Sequence, residues 1–356
     1  MRIKSFLLAA TFATSAVFAD TGYEKEQKLC PNYGKNREGS MYTDGYGAFV
    51  YGDFLYWTAQ VDGTDLAVRV KDPTQEVSTG SRKIERLDFN WDPAFRVGLG
   101  YYIDCMDWSL ALEWTRLRTD TNKTVRPTED SKIYSLWGRL GVNSDLIDKQ
   151  MEGKWSLDYD TLDLLASPGY FRYRQFAFRP VTGLRGGWID WDYTVVQTSL
   201  ASQTDTRVRT IHNKNHYNAI GTVGGLQTKM FLGMGFQIYS DLLASILYGK
   251  LSIDQTTDTT STDRNFSMNE HDSYWRVRPN LHMKLGLEWE RFFSSNSMRL
   301  NLHIGYEYLV WFNQNELYRY RDEVANESFV TTTPEPLEQR GDLGVNGFTV
   351  GGRFEF

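Results

Sequence analysis

The chain has 356 residues and a formal net charge of −6 at pH 7, so its composition gives no support to nucleic-acid binding. The mean hydropathy is −0.48, and the chain contains no long uninterrupted apolar run. Both observations argue against a membrane protein built from helices. Aromatic residues are abundant, with 11 Trp, 21 Tyr and 20 Phe. A secreted soluble enzyme could have this composition, and a transmembrane β-barrel needs it for the aromatic girdles at its two membrane interfaces.

The N-terminal residues MRIKSFLLAATFATSAVFAD have the three regions of a secretory signal peptide. Arg2 and Lys4 precede an apolar run that is too short to span a membrane, and small residues form a cleavage pattern ending at Ala19. We therefore predict a signal peptide at residues 1–19. Residues 20–44 are predicted to form a periplasmic N-terminal segment, and residues 45–356 one β-domain.

The remaining chain contains long segments in which apolar and polar residues alternate. In RVRPNLHMKLGLEWE, residues 276–290, every second residue from Arg276 is polar, charged or glycine, and the residues between are apolar. Period two places the two sets on opposite faces of a β-strand. A strand in a soluble sheet usually has about 5–6 residues, so this segment is unusually long. Lipid on one face and water on the other would explain both its length and its pattern.

Ten segments carry this pattern more or less clearly, and turns separate them. They are residues 46–58, 86–103, 107–118, 154–165, 174–191, 216–227, 230–249, 276–290, 298–312 and 345–356. Segment 230–249 is about long enough for a transmembrane helix, but Gln237 and Asp241 near its middle favour a strand.

The connections between these segments are alternately short and long. Short turns are predicted near residues 104–107, 167–170, 229–232 and 293–297, and long polar loops at 60–85, 119–151, 192–215, 252–273 and 313–342. This alternation predicts an all-β fold: a closed antiparallel transmembrane β-barrel of about 10–14 strands with short periplasmic turns and long extracellular loops. Within the second long loop, residues 134–140 could form a short helix or a constriction folded into the lumen.

Several of these segments resemble a known family. They are YGDFLYW at 51–57, DFNWDPAFRVGLGY at 88–101, FRPVTGLRGGWID at 178–190, RVRPNLHMKLGLEWE, and the closing GFTVGGRFEF at 347–356. Together they are similar to the pore-forming outer-membrane proteins typified by the Legionella major outer-membrane protein, a family also represented among porin-like proteins of environmental chlamydiae. The resemblance implies a bacterial outer-membrane location and a porin-like function, and it carries no catalytic motif and no cofactor.

The alternation also predicts which charged side chains face the lumen. The predicted pore-lining residues are Arg86, Asp88, Arg96, Glu113, Arg179, Arg185, Asp241, Arg276, Arg278, His282, Lys284, Glu288, Arg299, His303 and Glu307. Asp158 and Asp160 also have the inward parity in segment 154–165. A phospholipase would need a serine beside His282 or His303 on a lipid-accessible face, so we predict no catalytic residues. No CxxC, HExxH or Cys/His cluster predicts a metal site. With both charge signs present, a water-filled pore is favoured over a plugged structural barrel, and ion selectivity stays open.

The sequence therefore predicts a porin that admits small hydrophilic solutes by passive diffusion, without a chemical step. The alternative is a surface adhesin or structural envelope protein that binds host or envelope proteins through its long loops. Expected partners are outer-membrane lipid, the barrel-assembly machinery and small hydrophilic solutes. A homo-oligomer is conceivable by analogy with other porins alone.

Two further features concern the ends of the barrel. Phe348, Phe354 and Phe356 resemble the C-terminal signal read by the assembly machinery, although lipid-facing residues of a last strand would look the same. Cys30 and Cys105 would both be periplasmic, where an intramolecular disulfide could pin the N-terminal segment to the barrel rim. Two free thiols, or bridges to another envelope protein, are the alternatives.

Overall fold

The computed structural model describes residues 47–71, 81–103, 108–137, 147–200, 206–260, 265–293, 298–321 and 335–356. The predicted signal peptide, the predicted periplasmic segment, Cys30 and Cys105 lie outside these residues. The strands are β1 (Ala48–Val61), β2 (Ala67–Lys71), β3 (Arg82–Glu85), β4 (Trp91–Ile103), β5 (Trp108–Val125), β6 (Ser131–Ser135), β7 (Ile147–Pro168), β8 (Phe171–Tyr173), β9 (Phe176–Leu200), β10 (Thr206–Gly233), β11 (Phe236–Thr260), β12 (Asn265–Phe293), β13 (Met298–Arg321) and β14 (Glu335–Glu355).

Ten of these strands form a closed antiparallel barrel, which confirms the predicted fold. The order around the wall is β1, β4, β5, β7, β9, β10, β11, β12, β13 and β14. The barrel closes where β1 pairs with β14, in a register that runs from Phe49↔Glu355 to Val61↔Leu343. Closure leaves none of these strands with an unpaired edge inside the membrane.

The two ends of the barrel differ in their connections. At one end, called the short-turn end, few residues join successive barrel strands, and β10 and β11 are separated only by Met234 and Gly235. Both of these residues have positive φ, 53° and 82°, as a tight hairpin turn of this kind requires. At the other end, called the extended end, the strands continue well beyond the span needed to cross a membrane.

The polarity of the two faces reverses part of the way along the strands. Toward the short-turn end the outward face is apolar and the inward face polar, and toward the extended end the opposite holds. In β9 the outward positions up to Trp188 include Phe176, Phe178 and Leu184, whereas the next outward positions are aspartates, Asp190 and Asp192. The inward positions change the other way. They include arginines below Trp188, and Ile189, Trp191, Tyr193 and Val195 above it.

The change of character occurs at a ring of exposed aromatic side chains, which we call the aromatic girdle. Its members are Tyr56, Trp91, Trp114, Trp188, Tyr248, Trp275, Tyr306, Tyr308 and Phe348. Aromatic side chains favour the boundary between hydrocarbon and water. The girdle therefore marks the membrane surface nearer the extended end, with apolar outward residues below it and polar ones above.

This exchange corrects the predicted loops. The polar segments 192–215 and 252–273 are mostly the upper parts of β9, β10, β11 and β12, and only 201–205 and 261–264 separate those strands. Asp158 and Asp160, expected in the lumen, point outward and pair with Arg118 and Arg116 at 2.7 and 3.6 Å. The prediction was wrong there because the polar face turns outward once the strand leaves the lipid.

Arg86 and Asp88 were also predicted to line the pore, and this was wrong. The barrel strand begins only at Trp91, so the alternation below Trp91 does not extend to these two exposed residues. Leu87, on the apolar face of predicted segment 86–103, is 4% exposed and belongs to the apolar cluster inside the extended end rather than to the lipid-facing surface. Arg86 pairs instead with Asp65 at 2.8 Å.

Three short strands cover part of the extended end. β2 pairs with β3 and with β6, and β6 contacts β7 through Ile133↔Asp148. Of the two alternatives for residues 134–140, the described part supports the constriction. Trp137 is 2% exposed, its ring lies 5.4 Å from that of Tyr193, and its indole donates a hydrogen bond to the Asp65 carbonyl.

Candidate functional site: a charged cavity within the barrel

A cavity of about 160 Å³ lies inside the barrel, between the short-turn end and the level of Arg96. A water molecule needs only about 10–15 Å³ measured in this way, so there is room for several. Side chains from all ten barrel strands form its wall. The acidic and basic side chains in its lining are Asp53, Glu113, Asp241, Glu288, Glu307, Arg179, Lys229, Lys284, Arg299, Arg353 and His303.

The inner limit of the cavity is a buried cluster around Arg96, whose side chain is 1% exposed. The guanidinium donates two hydrogen bonds to Glu307, at 2.9 and 2.7 Å, and one to Asp53 at 3.1 Å. Its Nε lies 3.3 Å from a Glu113 oxygen. The group also lies 5.6 Å from the ring centre of Trp57. Three carboxylates and one aromatic face therefore surround a single guanidinium, which compensates in part for its desolvation.

Glu307 is the most highly connected carboxylate of this cluster. Besides Arg96, it accepts a hydrogen bond from the Thr349 hydroxyl at 2.7 Å, and its Oε2 lies 2.9 Å from Nε2 of His282. Lys284 Nζ is more distant, 3.9 Å from Oε1. This carboxylate thus links β4, β12, β13 and β14 across the lumen.

The two histidines act as partners of buried carboxylates. His282 contacts Glu307, and His303 Nε2 lies 3.1 Å from Asp53 Oδ1. Both contacts are polar contacts on the inner side of the wall, so the two histidines point into the lumen, where the sequence placed them.

Cations dominate the part of the cavity nearest the short-turn end, which we call the mouth. The Arg353 guanidinium lies 3.7 Å from the ring centre of Phe49 and donates to the Tyr102 hydroxyl at 2.6 Å. Arg299 donates to Glu355, and Lys229 donates to Glu288. Aromatic rings and carboxylates therefore hold these cations in fixed positions around the mouth.

Above Arg96, the lumen becomes drier. Arg185 forms a bidentate pair with Asp163, at 2.7 and 2.6 Å, and Arg278 donates to Glu316 at 2.7 Å. Beyond the level of Arg96, apolar inward side chains pack into what we call the upper cluster. Its largest members include Leu55, Trp57, Leu117, Trp155, Tyr159, Trp191, Tyr193, Tyr217, Leu247, Leu251 and Trp311, all at most 2% exposed. Side chains so deeply buried do not line a water-filled passage, so the upper part of the described lumen is closed.

Most predicted lumen residues do lie inside the barrel wall. Those that line the cavity are Glu113, Arg179, Asp241, Lys284, Glu288, Arg299, His303 and Glu307. Arg96, Arg185, Arg278 and His282 are inward but sealed within ion pairs and hydrogen bonds, and Arg276 lies higher on the same face of β12. Arg86 and Asp88 are outside. The predicted residues that meet around the cavity are thus those between the aromatic girdle and the short-turn end.

Some important cavity residues were not among those predicted. Asp53 has the inward parity within YGDFLYW, so its alternation contained the signal. Lys229 lay in a predicted turn, and the extra length of β10 placed it in the wall. The predicted assembly residues Phe348, Phe354 and Phe356 are exposed on the outer face of the C-terminal strand and its end.

The described part of the chain has neither a cluster of metal ligands nor a membrane-spanning helix. Within the described ranges, no group of three or more His, Cys, Asp or Glu side chains is placed to hold a metal ion. Nor does any helix in these ranges have the length and apolarity to cross a membrane.

Comparison with known proteins gives one family match. The family described as the Legionella pneumophila major outer membrane protein precursor matches residues 48–356. No curated protein sequence is significantly similar to the chain.

Several solved structures are similar to the chain at low sequence identity and low TM-score. The outer membrane protease OmpT of Escherichia coli has 9% identity, with 88% of this chain and 98% of that chain covered and a TM-score of 0.35. The toluene transporter TodX of Pseudomonas putida has 8% identity, coverage of 87% and 89%, and a TM-score of 0.26. A FadL homologue of Pseudomonas aeruginosa has 8% identity, coverage of 88% and 90%, and a TM-score of 0.23.

Proposed function

Since this chain belongs to the family of the Legionella pneumophila major outer membrane protein, we propose that it is a channel through which small hydrophilic solutes cross the outer membrane by passive diffusion. The chain is an outer-membrane β-barrel protein, and in such barrels the short turns face the periplasm. The mouth of the cavity would then be periplasmic and the extended end extracellular. The proposed activity involves no chemical step and no cofactor.

The observation that carries this proposal is the charged cavity within the membrane-spanning part of the barrel. Burying charges costs free energy even when they are paired, and well-packed apolar residues in their place often stabilise a protein. Wall positions such as Lys284 and Asp241 nevertheless remain ionisable and face water-accessible space. A hydrated charged cavity of this kind supports a role in admitting polar solutes, since a barrel serving only as a scaffold gains nothing from it.

Passage through the whole barrel requires the upper cluster to open. Trp311, 0% exposed, lies at the lower edge of this cluster, with its ring 6.2 Å from that of Tyr159. We therefore expect a channel that is closed most of the time and conducts in brief openings, with the upper cluster as its constriction.

The test is single-channel recording of the refolded full-length protein in planar lipid bilayers. We expect brief stepwise openings for the wild type and a higher open fraction for Trp311→Ala, because the truncated side chain leaves a gap in the constriction. Trp275→Ala is the matched control, since Trp275 is an outward girdle residue that is 61% exposed. Silence from folded wild-type and Trp311→Ala protein alike would reject the channel.

The closed upper lumen favours a second candidate, a surface barrel that acts through its extracellular end as an adhesin or structural envelope protein. The strands rise above the aromatic girdle with a packed apolar interior and a polar exterior. A packed extension of the barrel above the membrane surface is suited to presenting a binding surface. Absence of conductance, combined with saturable binding of the purified protein to host cells or matrix, would favour this function.

A further inference from the structure

We propose that the cavity is a binding site for a small zwitterion of the α-amino-acid type, held with its ammonium group toward Asp241 and its carboxylate toward the mouth. The inference deepens the proposed channel function, on which it rests, by naming the class of solute that the cavity selects. It depends on an unequal distribution of charge along the cavity axis.

Carboxylates are in excess at the inner end of the cavity, which we call the roof. Four of them line it, Asp53, Glu113, Asp241 and Glu307, and the cations among them are Lys284 and the adjacent Arg96. Within the described ranges, no lysine or arginine forms an ion pair with Asp241, which accepts a hydrogen bond of 3.0 Å from the Gln227 amide. The roof therefore has two more negative than positive charges and suits an ammonium group.

The mouth has the opposite excess. Its lining includes Arg179, Lys229, Arg299 and Arg353 and the carboxylate Glu288. Two adjacent carboxylates, Glu355 and Glu290, pair with Arg299, so the mouth has one more positive than negative charge. Arg179 lies 4.4 Å from the ring centre of Tyr170, which holds its guanidinium plane at the cavity wall. An anionic group entering from the short-turn end would meet these cations first.

Each end also retains a buried polar atom without a hydrogen-bond partner in the described structure. At the roof this atom is Asp53 Oδ1, which lies 3.1 Å from His303 Nε2 without an aligned hydrogen bond. At the mouth it is Arg299 Nη1, which lies 3.7 Å from Glu290 Oε2. Both side chains are 7% exposed as residues and line the cavity. Buried polar atoms nearly always make hydrogen bonds. Since neither atom makes an aligned one with its neighbour, each can still form a hydrogen bond with a ligand in the cavity, an acceptor at the roof and a donor at the mouth.

The spacing between the two ends matches an α-amino acid. Arg179 Nε donates to Gln227 Oε1 at 2.7 Å, and Gln227 Nε2 donates to Asp241 Oδ2 at 3.0 Å. A single primary amide thus connects a mouth cation to the roof acid, which places the two charged groups at most about 8 Å apart. An ammonium and a carboxylate on the same carbon atom, each with one hydrogen bond of about 2.8 Å, cover the same distance.

The test measures equilibrium binding of alanine to the folded full-length protein in detergent by titration calorimetry. Propionate lacks the ammonium group and ethylamine lacks the carboxylate, so each should bind at least about tenfold more weakly than alanine because one charged hydrogen bond is lost. Equal binding of alanine and propionate, or no binding of alanine, would overturn the assignment.

Variants locate the site. Asp241→Asn and Arg179→Gln should each weaken alanine binding about tenfold. Asp190→Asn and Arg118→Gln are the matched controls, since both residues lie on the outer face above the girdle and should leave the affinity unchanged. Heat-modifiable migration on SDS gels verifies that each variant is folded, and the comparison of alanine with propionate on the wild type needs no variant.

Bilayer recording separates the two proposals. A protein that conducts but shows no preference for alanine over propionate retains the channel function and loses the solute assignment. A protein that binds alanine selectively but never conducts retains the site and loses the channel.

Discussion

Arg96 on β4 and Glu307 on β13 form a bidentate ion pair, although β1 and β14 separate their strands in the wall of the barrel. The pair therefore crosses the lumen and connects parts of the wall that have no backbone hydrogen bonds with each other. Both side chains are at most 2% exposed, so neither charge has water as an alternative partner.

Arg96→Gln should lower the free energy of unfolding by about 3–5 kcal/mol, because three carboxylates then remain buried without their guanidinium. Unfolding in urea of protein inserted in lipid vesicles measures the change. The double variant Arg96→Gln, Glu307→Gln should lose less than the sum of the two single variants, since the two charges are coupled. Additive losses would mean that the ion pair is not formed.

Leu285 and Lys284 are neighbours in β12 and lie on opposite faces of the wall. Leu285→Arg should destabilise the barrel by about 2–4 kcal/mol, because Leu285 is 60% exposed on the lipid-facing side. Lys284→Gln should destabilise the barrel much less, since the one ion pair that Lys284 forms within the described residues is 3.9 Å long, and it should alter conductance instead. Similar effects of the two substitutions on folding would contradict the assignment of the faces.

Cysteine labelling in intact cells tests the orientation. Met234, 93% exposed in the tight hairpin, belongs to the short-turn end, and Lys214 is exposed on the outer face above the girdle. A membrane-impermeant maleimide should react with Lys214→Cys in intact cells and with Met234→Cys only after the outer membrane is permeabilised. The wild type gives the background from its own cysteines. The reverse pattern would invert the topology.

The stability of the β2–β3 hairpin at the extended end should depend on pH through Glu85. A hydrogen bond from Arg69 at 2.8 Å holds the pKa of this carboxyl below its ordinary value of 4.5. A lowered pKa in the folded state contributes stability above the ordinary pKa, and this stability is lost as the pH falls below 4.5 toward the folded-state value.

We therefore expect proteolysis within residues 67–85 to accelerate as the pH falls below about 4.5. An acid-tolerant protease and peptide mapping measure the rate. Glu85→Gln, which keeps the shape without the charge, should cleave faster at neutral pH and lose most of this pH dependence. A wild-type rate that does not change through this range would show that the Arg69–Glu85 contact does not hold the hairpin.

The sequence predicted the ten strands because alternation reveals that two faces exist. Alternation does not reveal which face meets which environment. Around Trp188 in β9, the residues Asp190 and Trp191 continue the same period, yet the apolar set now faces inward. The position of a residue along the membrane normal determines whether the apolar set faces lipid or the lumen. The sequence of a single strand does not give that position.

The sequence predicted which residues line the cavity better than it predicted how far the cavity extends along the barrel. Below the girdle, inward parity correctly placed Glu113, Asp241 and Lys284 in the wall. That the lumen closes above Arg96 depends on side chains from many strands, such as Trp57, meeting at one level. Which side chains meet at one level depends on the relative stagger of neighbouring strands. The sequence of an individual strand does not determine this stagger.

The pairing of β1 with β14 joins the first and last strands of the barrel, with reciprocal hydrogen bonds between Ala48 and Phe356 at 2.9 Å. These contacts join positions at nearly opposite ends of the polypeptide, and such distant contacts make folding slow. Because the first barrel strand pairs with the last, the wall cannot close until all ten strands are present together. Until that moment, an unclosed sheet has two unpaired strand edges and exposed apolar side chains, and both favour aggregation.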